Sequence, residues 1–118
     1  VNNNVVPLFP DPTEIYPNLT GKYILVNRVP VPCPDLMKWG RFMQDADRYV
    51  AETMIDGIRV STVFLGLDHN WGGDPPVLFE TMIFGGEHDE EYMERCCTWA
   101  EAEEMHKIAV KVAKARND

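Results

Sequence analysis

No apolar run in this 118-residue chain approaches the roughly 20 residues that a bilayer-crossing helix needs. Its opening residues also lack the basic, then apolar, then small-residue order of a secretory signal. Cysteine is sparse and badly placed for disulfides. There are three, Cys96 and Cys97 are adjacent, and an odd count leaves one thiol over. A reducing cytoplasm is therefore expected. Basic residues are outnumbered, with 11 Lys and Arg against 19 Asp and Glu, for a net charge of −8. That deficit argues against gripping a nucleic-acid backbone, which takes a cationic footprint. It suits a protein partner with a basic surface, although simple solubility explains the same charge.

Signatures of chemistry are scarce too. There is no G-x-S-x-G elbow, and Ser61 lies inside a strand pattern rather than at an exposed turn. Gly72-Gly73 and Gly85-Gly86 lack phosphate-loop or dinucleotide spacing. His69, His88, His106, Cys96 and Cys97 form no zinc spacing such as C-x-x-C or H-x-x-x-H. Neither a cofactor nor a metal is implied.

What is present suits one globular domain, 45% apolar and 25% charged. Residues 1–20 read as a proline-rich arm. Pro7, Pro10, Pro12 and Pro17 interrupt regular structure, while Val5, Val6, Leu8, Phe9, Ile15 and Tyr16 are apolar enough to dock. Such an arm can lie on its own domain or swap into a neighbouring subunit, a route to a homo-oligomer. Residues 21–118 form the domain.

Residues 23–26 are a short run of β-formers, and the prolines of residues 29–34 force an extended path. Asp35 caps a helix whose stripe is Leu36, Trp39, Met43 and Ala46, widened by Phe42. Gly40 inside it suggests the close approach of another backbone. Asp56-Gly57 is the favoured two-residue hairpin turn between residues 49–55 and 58–67. It sets Ile55 opposite Ile58, Thr53 opposite Val60, Ala51 opposite Thr62 and Tyr49 opposite Phe64. Residues 77–84 return as a strand, and the acidic residues 87–94 read as a linker. Thr98-Trp99-Ala100-Glu101 is a capping box, starting a helix with the stripe Trp99, Ala102, Met105, Ala109 and Val112. The expected fold is α+β: an antiparallel three- to four-stranded sheet with two helices packed on one face, preceded by the arm.

The leading candidate site is the loop Asp68-His69-Asn70-Trp71, which leaves a strand into Gly- and Pro-rich chain. Glu80 on the returning strand is placed to join it, and Arg59 adds a cation. The competing reading is structural, with Asp68 and Asn70 satisfying turn backbone, His69 solvated and Trp71 folded onto the core. Cys97 precedes the capping threonine, where a helix dipole lowers a thiol pKa, but free cysteines are more often packed than reactive. His106 flanks an apolar stripe and reads as a packed histidine.

The stretch Ser61-Thr62-Val63-Phe64-Leu65-Gly66-Leu67-Asp68-His69 resembles a family of small uncharacterised proteins encoded by bacteriophages and prophages. Gly73, Pro75-Pro76, Leu78-Phe79-Glu80-Thr81-Met82 and Thr98-Trp99-Ala100-Glu101-Ala102 carry the same resemblance. It runs from about Asp35 to His106. The family has a tyrosine after the arginine where this chain reads Arg95-Cys96-Cys97, so no role carries over to these cysteines. The resemblance implies a setting, the cytoplasm of a bacterial host. It favours a non-catalytic acidic protein that binds and inhibits a host protein, such as a defence component. Alternatives are a small-polar-ligand protein sequestering a nucleotide signal, with Arg48, Arg59 or Arg95 converging on the phosphate, a virion component, and a metal-assisted hydrolase using Asp68, His69 and Glu80.

Overall fold

The computed structural model describes residues 20–71 and 73–115; the expected arm, Thr20 apart, lies outside the described residues. Over that span the fold is α+β, with a two-stranded and a four-stranded antiparallel sheet and two helices.

β1 (Tyr23–Val26) and β2 (Val29–Pro32) form the smaller sheet. Asn27 and Arg28 between them take φ of 51° and 67°, the left-handed backbone of a tight hairpin. Val26 pairs with Val29 and Ile24 with Val31, leaving Pro30 and Pro32 at the alternate positions. There a strand residue has no N–H to give its partner, so proline costs the ladder nothing. The extended path was legible in the sequence; its pairing was not.

α1 (Leu36–Asp45) is capped as expected, with Asp35 Oδ1 accepting from the Met37 and Lys38 amides at 3.0 and 3.1 Å. Its contact side is Trp39, Phe42 and Met43, all half-buried. Leu36, expected in the stripe, is 61% exposed, because the first turn lies ahead of the contact. Trp39 Nε1 donates to the Gly66 carbonyl at 3.0 Å, and the Phe42 ring meets Phe64 edge-on. Gly40 does not serve a close approach: a Cβ there would have nothing within 4 Å.

The larger sheet runs β3 (Tyr49–Ile55), β4 (Ile58–Phe64), β5 (Phe79–Phe84) and β6 (Met93–Cys96), in that spatial order. Asp56 and Gly57 make the expected turn, with φ of 47° and 82°. The pairs Ile55–Ile58, Thr53–Val60 and Ala51–Thr62 form as expected, but Tyr49 pairs with Val63, not Phe64. A bulge between Tyr49 and Ala51 causes the shift, and it lets Val50 pack against the core around Phe64. Residues 87–94 are not wholly a linker either. β6 begins at Met93, and Glu94, Arg95 and Cys96 pair with Thr81, Glu80 and Phe79.

α2 (Trp99–Ala115) starts on its capping box: the Glu101 amide donates to Thr98 Oγ1 and the Thr98 amide to Glu101 Oε1, both at 3.1 Å. It lies on the face formed by Ile58, Val60, Thr62 and Phe64 with Phe79, Thr81 and Ile83, all buried. Its own innermost residues are Ala102, His106, Ala109 and Ala113. Trp99, Met105 and Val112 flank that line instead of leading it, because alanines let the helix axis come close while bulkier groups splay aside. His106 is the polar member. Its Nε2 bonds Thr53 Oγ1 and its Nδ1 bonds Thr62 Oγ1, each at 2.8 Å, and Thr62 in turn bonds Thr81. Among the described residues no helix is long and apolar enough to cross a membrane.

Two predictions follow from this packing. Gly40→Ala fills open space in a helix interior, so urea unfolding should show a gain of about 1 kcal/mol. An unchanged or lower midpoint contradicts the open site. Burial holds the His106 pKa below its ordinary 6.5, so the unfolded chain takes up that proton first. Stability is therefore full above the ordinary value and falls as pH drops through it, by at most about 1.4 kcal/mol per pH unit. Urea midpoints at neutral and mildly acidic pH should diverge more for the native chain than for His106→Gln.

Candidate functional site

The loop between β4 and β5 is built on its own backbone. Gly66, buried at φ 77°, turns its carbonyl to the Tyr23 amide at 2.9 Å as well as to Trp39 Nε1. The Asp68 amide donates to the Gly21 carbonyl at 2.8 Å, and Lys22 bridges to Leu67, so the loop's base is stitched to the smaller sheet. Asp68 Oδ1 accepts from the Asn70 amide at 2.7 Å and the Val77 amide at 3.0 Å, clamping the two arms of the loop together. Asn70 Nδ2 donates to the Pro75 carbonyl at 2.8 Å, and the His69 amide donates to the Val77 carbonyl at 2.9 Å. His69 Nδ1 lies 2.8 Å from the Leu67 carbonyl. A carbonyl only accepts, so Nδ1 is the donor in this bond.

Trp71 stands apart from this bracing. It is 90% exposed at the tip, with φ of 49°. The expected folding of its indole onto the core does not occur. The polar side chains are thus engaged in shaping the loop, and the aromatic projects from it.

The other candidates sit elsewhere. Glu80 faces the side of the sheet away from α2 and bonds Arg95 Nε at 3.0 Å. Arg59 lies near the hairpin turn on that same side, 3.3 Å from Glu52 and stacked over the Phe84 ring at 4.3 Å. Arg48 Nη1 donates to the Phe64 carbonyl at 2.9 Å. The three arginines are held by separate partners. Among the described residues no three His, Cys, Asp or Glu side chains come together in a way that could hold a metal ion.

Cys96 and Cys97 are poor nucleophiles here. Burial and the nearby Glu101 carboxylate push Cys96 up to about 11, so it stays protonated at neutral pH. Cys97 moves in the same direction through burial, Glu101 and Asp68, which outweighs any lowering by the helix dipole. His88 rests edge-on against Tyr92.

One feature escaped the sequence reading: a groove of about 640 Å³ between β6 and α2, to which Cys96, Met105 and Ile108 contribute. Its signal was present, since Ile108 is a large apolar residue off the helix's buried stripe, and it is 56% exposed. No protein-family model, curated protein or solved structure matches the chain.

Asp68→Ala should lower stability by about 1–2 kcal/mol, since two backbone donors lose their acceptor, and hydrogen exchange at the Val77 amide should speed up. Trp71→Ala should leave stability within about 0.5 kcal/mol, as expected for an exposed side chain. A large loss from Trp71→Ala would mean that the indole packs.

Proposed function

We propose that this chain is a non-catalytic binding protein of phage or prophage origin that engages a host protein through that protein's basic surface and inhibits it. A host defence component is the class of target that best fits such an origin. The observation that carries this reading is Trp71. A fully projecting indole on a left-handed backbone does nothing for the free chain: it exposes apolar surface and adopts a conformation unfavourable for a bulky residue. Aromatic side chains of this kind commonly anchor protein interfaces, where burying them supplies much of the affinity.

The loop beneath supports the same role. Asp68 and Asn70 fix its shape before any partner arrives, so little ordering entropy is lost on binding. The net charge of −8 speeds encounter with a basic surface and makes affinity fall with salt. The raised pKa of the Cys96 thiol and the loop's polar side chains engaged with backbone favour binding over turnover. A nucleotide ligand fits less well, because Arg48, Arg59 and Arg95 are each engaged by a separate partner.

The test is affinity purification from a bacterial host expressing either the native chain or Trp71→Ala. The native chain should retain a stoichiometric partner that rising salt releases. Trp71→Ala should lose it while keeping its melting temperature. Equal recovery by both, or no partner at all, defeats the reading.

A further inference from the structure

β6 ends the larger sheet, and among the described residues its outer edge pairs with no strand. Backbone N–H and C=O groups along such an edge are open to another chain. The groove beside it is walled by β6 and α2. Glu94 and Cys96 stand opposite Thr81 and Phe79, so they share the face that α2 covers. The groove's lining is largely apolar, with Cys96, Ala100, Met105 and Ile108 beside the Tyr92 ring. Ile108 belongs to neither core cluster. Three carboxylates, Glu94, Glu101 and Glu104, line it as well. Of the described lining residues only Arg95 is basic, and its guanidinium is turned to Glu80. Lys107 reaches Glu104 at 3.0 Å, but both side chains are more than two-thirds exposed, where such pairs contribute little.

We propose that this groove takes an extended segment of a partner protein, laid beside β6 as an added strand and carrying both apolar and basic side chains. The proposal rests on the reading of the chain as a protein-binding protein and supplies the chemistry of one contact; it does not depend on Trp71. β6 has four residues, so the added strand is short, about four to six residues, with two or three side chains facing the groove. One is apolar and sits over Met105 and Ile108. Its neighbour two positions away is Lys or Arg, whose stem crosses the apolar lining while its head reaches Glu101 and Glu104. A second copy of this chain fits poorly, because edge-to-edge pairing would bring these carboxylates close to their own copies. The chain's first 20 residues fit no better: they hold Asp11 and Glu14 and no Lys or Arg.

Selection of a random octapeptide library on the native chain tests this. Enriched peptides should pair Lys or Arg with Val, Ile or Leu two positions away. A synthetic copy of the leading peptide should shift the amide resonances of residues 93–96. Its affinity should fall at least tenfold on Ile108→Lys and on Glu104→Lys, and stay unchanged on Trp71→Ala. Both altered positions are exposed, and melting curves check that the variants fold. Absence of enrichment, enriched peptides without a base, or equal binding to Ile108→Lys overturns the proposal. So does a dimer of the free protein that Ile108→Lys dissolves, since a second copy would then own the groove. If peptides fail while a host partner is still lost with Trp71→Ala, only the groove is refuted. Should peptides bind while the native chain retains no host partner, the groove stands without the inhibitory role.

Discussion

A single imidazole fixes where α2 lies on the sheet. His106 joins Thr53 on β3 to Thr62 on β4, and Thr62 passes the chain of hydrogen bonds to Thr81 on β5. A neutral histidine has one donor and one acceptor, and each hydroxyl has both, so the network can be satisfied in either direction. Three strands and a helix are thereby held by directional contacts in a core that alanines would otherwise leave free to slide. The energy at stake is mostly that of leaving buried polar groups unpaired, about 1–3 kcal/mol for each group. Apolar packing supplies the bulk of the stabilisation, and this network selects the arrangement.

That placement decides what the rest of the surface offers. With Ala102, Ala109 and Ala113 against the sheet, the bulkier Met105 and Ile108 are turned toward the β6 side. The groove is the gap left between that flank and a short edge strand. At the start of α2, Phe79 meets Trp99 edge-on and Arg28 from the hairpin turn of β1 and β2 lies 5.1 Å from the Trp99 ring centroid. The smaller sheet then holds residues 66–68, and through them the base of the loop that carries Trp71. Loop and groove are therefore both positioned by the same helix.

Local chemistry was legible where it is settled within a few residues. Asp35, the Asp56-Gly57 turn and the Thr98–Glu101 box each act over at most four positions, and each does what its residue types dictate. Features decided by distant partners were not legible. The bulge at Val50 depends on packing around Phe64, and β6 depends on β5 offering partners to a sequence, Met93-Glu94-Arg95-Cys96, that has little strand propensity of its own. The loop shows the same division. Asp68 and Asn70 follow turn chemistry, which also resembles a binding site on paper, whereas the exposure of Trp71 is a tertiary outcome. For Gly40 the inference failed because absence of a side chain does not imply a neighbour.

The acidity of the chain is not one undifferentiated property. Glu101 is needed by the helix start, where it accepts from two amides, and Glu80 is neutralised by Arg95. Glu94 and Glu104, the latter only in an exposed pair with Lys107, stand beside a strand edge that adjoins an apolar groove. Charges on a short edge strand are a common means of discouraging unwanted pairing. Here they discriminate by sign, because a like-charged strand, including a second copy of this chain, meets repulsion while a basic strand meets attraction. In the proposed docking, an edge guarded in that way disfavours a like-charged strand and admits one of opposite charge, so the same side chains that repel one partner select another.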